Sequence, residues 1–165
     1  MNLSLHAPVQ AEELRLAMRH WTAGVTVVTA TGRDGTHAGI VSNSFTSVSL
    51  EPALVSWCVD RGSSSFDVWC STEAFSVHIL GKENADLVPR FAARGADKFA
   101  GLHTTPSTVG SPALDGVPVR LDCITWNRYD GGDHVIIIGE VRAIHAAATT
   151  ATHSRTPARR QPARR

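Results

Sequence analysis

Residues 39–60, GIVSNSFTSVSLEPALVSWCVD, decide how the chain is read. A polar block, Ser42-Asn43-Ser44-Phe45-Thr46-Ser47, lies between two runs with the character of buried strands. A strand that only packs alternates apolar and polar residues or stays apolar throughout. Here hydroxyls and an amide gather in a short span, the chain turns at Glu51-Pro52, and residues 53–59 return as a strand. Two readings stand. The block satisfies its own backbone, as Ser/Thr-rich loops do, or it offers donors beside a sheet to a planar polar ligand.

Working outward toward the N-terminus, Gly32-Arg33-Asp34-Gly35 reads as a turn joining strands at 25–30 and 36–41. Before Gly24, residues 8–20 read as an amphipathic helix laid on the sheet. Pro8 suits its first turn, Glu12 and Glu13 suit its positive end, and Leu14, Ala17, Met18 and Trp21 fall at helical spacing. Toward the C-terminus, Arg61-Gly62-Ser63-Ser64-Ser65 leads into a short helix at 66–70, with Ser63 or a neighbour as its N-cap. Capping accounts for one serine; three in a row beside Arg61 argue for an anion.

Residues 74–80 alternate, Phe75, Val77 and Ile79 against Ser76 and His78, which places His78 on a solvent face. Leu87, Val88 and Phe91 have helical spacing within 83–94, which Pro89 kinks or splits into two turns. Residues 95–116 read as loop. Residues 117–129 and 133–145 form a long hairpin across Asp130-Gly131-Gly132, with Val119, Leu121 and Cys123 facing one way and Arg120 and Asp122 the other. At least six strands, mostly antiparallel, with two or three helices between them describe a mainly β chain: a closed or split β-barrel with peripheral α-helices.

Composition narrows the class. A chain of 165 residues, 42% apolar and 19% charged, suits one globular domain with a real core. No run approaches the roughly 20 apolar residues of a membrane span, and the first residues lack the basic and apolar regions of an export signal. Cys58, Cys70 and Cys123 are odd in number and widely spaced, which fits a reducing cytoplasm. The net charge of +1 conceals a division. Five arginines lie in 155–165, and the remainder, 1–154, carries 11 basic and 15 acidic residues. A body of that sign suits no nucleic acid. The Arg/Pro tail reads as a solvated segment outside the folded domain.

The sequence holds no Gly-rich dinucleotide fingerprint after a strand, no phosphate-binding P-loop, no nucleophile elbow and no paired-histidine metal motif. His134 and His145 lie at opposite ends of one strand. At the mouth of the last hairpin, Gly132-Asp133-His134 admits two readings: a histidine oriented by its neighbouring carboxylate for a ligand, or the plain start of a strand.

The series W-x-x-GVTVVTA at 21–30, GIVSNSF-x-SVSLEPALV at 39–55, F-x-VHIL at 75–80, RFA at 90–92, ADKFAG at 96–101, SPALDGV-x-V-x-LDC at 111–123 and GGDHVIIIGEV at 131–141 resembles the flavin reductase family. The likeness runs over residues 8–146, in order. It implies a homodimeric FMN-binding split barrel that moves hydride from NADH or NADPH to FMN or FAD. The reduced flavin then serves a partner monooxygenase of aromatic or natural-product tailoring. The resemblance places Ser42, Asn43, Ser44, Phe45 and Thr46 against the isoalloxazine and ribityl chain. It places Cys58, Ser63, Ser64, Ser65 and Phe66 toward the ribityl and phosphate. Phe91, Lys98 and Phe99 would close the pocket, and His134 would meet the nicotinamide. Two departures stand out: Pro89 in the second helical stretch, and ATTATHSRTPARR where relatives carry an apolar closing segment. The rival expectations are a split-barrel oxidoreductase that retains its flavin and a non-catalytic flavin-binding module.

Overall fold

The structure, a computed structural model, describes residues 10–95 and 97–147. The Arg/Pro tail and the expected closing segment lie outside the described residues. In chain order the elements are α1 (Ala11–Met18), β1 (Thr26–Thr31), β2 (His37–Ser42), β3 (Thr46–Leu50), β4 (Ala53–Asp60), α2 (Phe66–Ser71), β5 (Ala74–Ile79), a 3-10 turn (Lys82–Asn84), α3 (Leu87–Ala92), β6 (Thr104–Pro106), β7 (Pro112–Leu114), β8 (Val119–Gly131) and β9 (His134–Ala146). Seven strands make one antiparallel sheet in the order β2-β1-β5-β8-β9-β4-β3. The two edge strands do not pair, so the curled sheet is a split barrel rather than a closed one.

Apolar residues on alternate positions fill the interior: Val28 and Ala30 from β1, Trp57 and Val59 from β4, Phe75 and Val77 from β5, Leu121 and Cys123 from β8, and Val135 and Ile137 from β9. Trp57 packs edge-to-face on Trp69 and on Phe75, with centroids 5.1 and 5.9 Å apart. Such contacts add to what burial alone supplies. Gly139 is the small residue this interior requires, because a Cβ there would collide with the Phe75 ring. Burial pushes the Cys123 thiol up to about 12, which leaves it an inert packing group.

A second cluster covers the outer face of β1, where Val27 meets Leu87, Phe91 and Leu114. This cover corrects the expectation for His78. The ring is fully buried, and its two nitrogens bridge Val27 O (3.1 Å) and the Leu114 N–H (3.0 Å). Residues 95–116 contain the β6–β7 hairpin, and that hairpin lies over the supposed solvent face. Beside it, Asp122 is wholly buried and accepts from Ser76 (2.7 Å) and from the Arg120 guanidinium (2.9 Å). Pro89 sits in the first turn of α3, where a missing N–H leaves no hydrogen bond unmade. The expected helix at 8–20 narrows to α1. It buries no residue against the sheet and leaves Leu14, Leu16 and Met18 exposed.

Candidate functional site

A cleft of about 450 Å³ lies where the end of β2, the β4–α2 turn and α3 meet, walled by Ile40, Asn43, Asp60, Ser63, Ser64 and Phe91. A smaller one of about 300 Å³ adjoins it, sharing Ser64 and Lys98. Both volumes suit small-molecule sites.

The polar block divides by role. The Ser42 and Ser44 hydroxyls are 2.9 Å apart, and Ser44 Oγ accepts the Cys58 N–H at 2.8 Å. Thr26 donates to Ser42 O at 2.9 Å. These serines tie β2 to β1 and β4, so their hydroxyls serve the backbone. Asn43 between them is exposed on the cleft wall, and its amide has no protein partner among the described residues.

The β4–α2 turn is held by its own acid. Asp60 accepts the Gly62 N–H at 2.6 Å and its carbonyl takes the Ser63 N–H at 2.9 Å. Ser65 occupies the N-cap position of α2 without a side-chain cap bond; Ser63 Oγ instead accepts the Ser65 N–H at 3.4 Å. The expected N-cap, Ser63 or a neighbour, is thus Ser65 by position, without a side-chain cap bond. Ser64 has neither its N–H nor its hydroxyl bonded within the described residues. Arg61 does not face the serines. Its guanidinium donates to Gly132 O at 2.8 Å and to Asp130 at 3.0 Å, which clamps this turn to the β8–β9 turn.

Next to that clamp, His134 pairs with Asp60 across the sheet but lines neither cleft. The imidazole Nδ1 lies 2.7 Å from the Asp133 carboxylate, which this hydrogen bond, and then the nearby imidazole charge, hold below the usual range. On the opposite wall, Lys98 Nζ donates to Gly39 O and Phe91 O, both at 2.9 Å. Burial draws its pKa below the ordinary lysine value. Phe91 and Phe99 pack edge-to-face at 5.3 Å over Gly39, where a Cβ would strike the Phe91 ring. Glycine at 39 thus lets the ring lie directly on β2.

Of the residues singled out from sequence, Asn43, Ser63, Ser64, Phe91 and Lys98 line one cleft, and Ser65 and Phe99 line its neighbour. Phe45 and Phe66 pack against the barrel core, Thr46 stands on the exposed edge strand, and Cys58 is half-buried on β4. None of these four lines either cleft. Asp60 and His37 do, and sequence reasoning passed over both. The cue for Asp60 was its place at the end of a buried strand beside the serines; His37 carried no cue. The donors left unpartnered, an amide, a hydroxyl and a backbone N–H around an aromatic wall, match a planar heterocycle with a phosphorylated side chain.

Residues 18–157 match the profile of the Flavin reductase like domain. Over 132 residues the chain is 42% identical to the actinorhodin polyketide dimerase of Streptomyces coelicolor, covering 80% of this chain and 75% of that protein. It is 33% identical over 140 residues to the reductase subunit HsaB of a flavin-dependent monooxygenase of Mycobacterium tuberculosis, covering 85% and 74%. The solved structure of the NADH:FAD oxidoreductase SgcE6 of Streptomyces globisporus, in complex with NAD and FAD fragments, superposes with a TM-score of 0.75 at 31% identity, over 86% of this chain and 87% of that one. The barrel, the cleft at its rim and these likenesses agree: the chain belongs to the flavin reductase-like domain family.

Proposed function

We propose that the chain is an NAD(P)H:flavin oxidoreductase that reduces FMN or FAD and releases it to a separate flavin-dependent monooxygenase, with polyketide or aromatic tailoring as the setting. The observation that carries this is the cleft itself, where Asn43, Ser63, Ser64 and Phe91 converge from three separate segments in a chain of this family. Bound flavin supplies the hydride-accepting chemistry. The chain's part is placement and shielding. Asn43 offers its amide to the polar edge of the ring system, and Phe91 forms the apolar wall. The Ser63 and Ser64 hydroxyls and the Ser64 N–H face the side chain and its phosphate. His134, bonded to Asp133 and paired across the sheet with Asp60 of the cleft, is assigned to the nicotinamide side.

A homodimer is part of this reading. Interior residues Val135, Ile137 and Gly139 alternate with Ile136 and Ile138, which are only half covered on the outer face of β9. Beside them on β8 stand Ile124 and Tyr129, and Trp126 is pushed out by a β-bulge between Thr125 and Asn127. A contiguous apolar outer face of this kind suits a second copy. Among the described residues no helix is long and apolar enough to cross a membrane, and three free cysteines support a reducing cytoplasm. Residues 1–154 form the catalytic domain in this reading, with 155–165 as an appended tail.

The test is steady-state oxidation of NADH and of NADPH with no flavin, FMN, FAD or riboflavin added. Turnover that requires free flavin and saturates in it is the expected result. Flavin retained through dialysis, with no turnover of added flavin, would overturn it.

A further inference from the structure

We propose that a separate cavity, at the end of the β8–β9 hairpin remote from His134, binds a small organic monocarboxylate, with the free fork of the Arg120 guanidinium as its anchor. This goes beyond the reductase reading and does not depend on it.

The cavity holds about 610 Å³, a volume suited to a small-molecule site, and shares no lining residue with the two clefts beside Lys98. Arg120 and His145 line it from β8 and β9, and Leu114, Val117 and Pro118 give it apolar walls. Buried Asp122 fixes the arginine from one side: Nε donates to Oδ1 at 2.9 Å and Nη2 to Oδ2 at 3.4 Å. The same carboxylate is otherwise spent on Ser76 at 2.7 Å, the Thr108 N–H at 3.1 Å and the His145 ring at 3.2 Å. Of the five guanidinium N–H donors, the three at the outer end have no acceptor among the described residues. Yet the Arg120 side chain is only 17% exposed. Donors of a charged group held so far from bulk water require an acceptor. The end-on pair of Nη groups has the spacing that a carboxylate takes bidentately. The charge of the ligand is set by the acids opposite. Glu83 and Asp115 line the same cavity, Asp115 sharing a hydrogen bond with His103 at 2.8 Å. They repel a phosphate dianion, whereas a monocarboxylate lays its uncharged body along the apolar wall.

The experiment is an NMR titration of the full chain with benzoate, with benzamide as the uncharged counterpart and inorganic phosphate as the rival anion. Benzoate is expected to shift the Gly116, Val117 and Ala146 amides and to saturate at about millimolar concentration. Benzamide and phosphate are expected to bind about tenfold more weakly, the scale of one charge-assisted hydrogen bond. Added FMN should leave the benzoate shifts in place. Arg120→Lys keeps the charge and loses the fork, so benzoate affinity should again fall about tenfold. Because that change also touches buried Asp122, Ala146→Trp is the second variant. It fills the cavity from an exposed position with the Arg120–Asp122 pair intact, and it should abolish the shifts. Benzoate displaced by FMN, equal affinity for benzamide or phosphate, or unchanged binding in a folded Ala146→Trp chain would each overturn the proposal. Absence of any saturable shift at Gly116 and Ala146 in the natural chain would end it.

Discussion

At the scale of single residues, His78 shows how a fully buried polar ring becomes a pH-dependent brace. Its pKa falls from 6.5 to about 4, chiefly through burial; the Val27 carbonyl opposes this, Arg120 adds to it and Asp122 opposes it. A base whose folded pKa is depressed is protonated first in the unfolded chain. The stability it confers is therefore complete above about pH 6.5 and is lost as pH falls toward 4, by up to about 3 kcal/mol. Melting curves from pH 7 to pH 4 should fall more steeply for the natural chain than for His78→Gln; parallel curves would discount the brace. For His134→Ala, steady-state kinetics should show a rise of about tenfold or more in the KM for nicotinamide cofactor, with flavin affinity changed far less. Equal losses would remove His134 from the nicotinamide side. The contrast between these histidines marks what sequence makes legible. His134 opens β9 just after the Gly131-Gly132 turn, where sequence left open whether it faces a ligand or only begins the strand. Ser76 and His78 looked like a wet stripe because alternation reports two faces without saying what covers the second. Their register partners, Asp122 and Arg120, supplied a usable signal, since two polar stripes paired side by side need a common cover or a common network.

At the scale of elements, α3 shows why the site is rigid although it is built from a short helix. Phe91 lies on Gly39 of β2, and Lys98 ties both backbones together. Gly39→Ala forces the ring off the strand; overpacking of this kind costs about 1–3 kcal/mol. Because the same ring walls the cleft, the variant should lose both thermal stability and flavin affinity, read by melting and fluorescence titration together. Loss of stability alone would separate the wall from the binding function. The long hairpins β1–β2 and β8–β9 were legible from alternation and turn residues, but the β6–β7 hairpin fell in a stretch read as loop. The helix expected over 83–94 is a 3-10 turn at Lys82–Asn84 followed by α3, unbroken at Pro89. The packing of α1 was not legible either. Its apolar spacing called for a covered face, yet Leu14, Leu16 and Met18 stay exposed, because periodicity identifies a surface without naming what meets it.

At the scale of the whole molecule, the outer face of β9, with Ile136 and Ile138 half covered, is the surface assigned to a second copy. On the proposed homodimer, Ile138→Arg should give monomers in sedimentation velocity where the natural chain gives dimers, while leaving the barrel folded by circular dichroism. A natural chain that already sediments as a monomer would overturn the dimer. The barrel itself was readable because each strand carries its partner's hydrophobic pattern. The cleft was only partly so. The polar block left two readings open, and both hold in part: Ser42 and Ser44 are backbone ties and Asn43 is the outward group, a division that depends on where Cys58 of β4 comes to rest.

The strand order has a consequence for biogenesis. The β8–β9, β1–β2 and β3–β4 hairpins close locally, but β4, complete at Asp60, takes its second neighbour, β9, only when the chain has reached Glu140. Until then one whole side of β4 offers unpaired hydrogen-bonding groups and Trp57 has no interior to enter. Long-range pairing of this kind slows folding and leaves nascent chains open to aggregation. Emergence of β9 from the ribosome is thus the event that ends this exposure, and truncation before it should leave a chain that depends on chaperones.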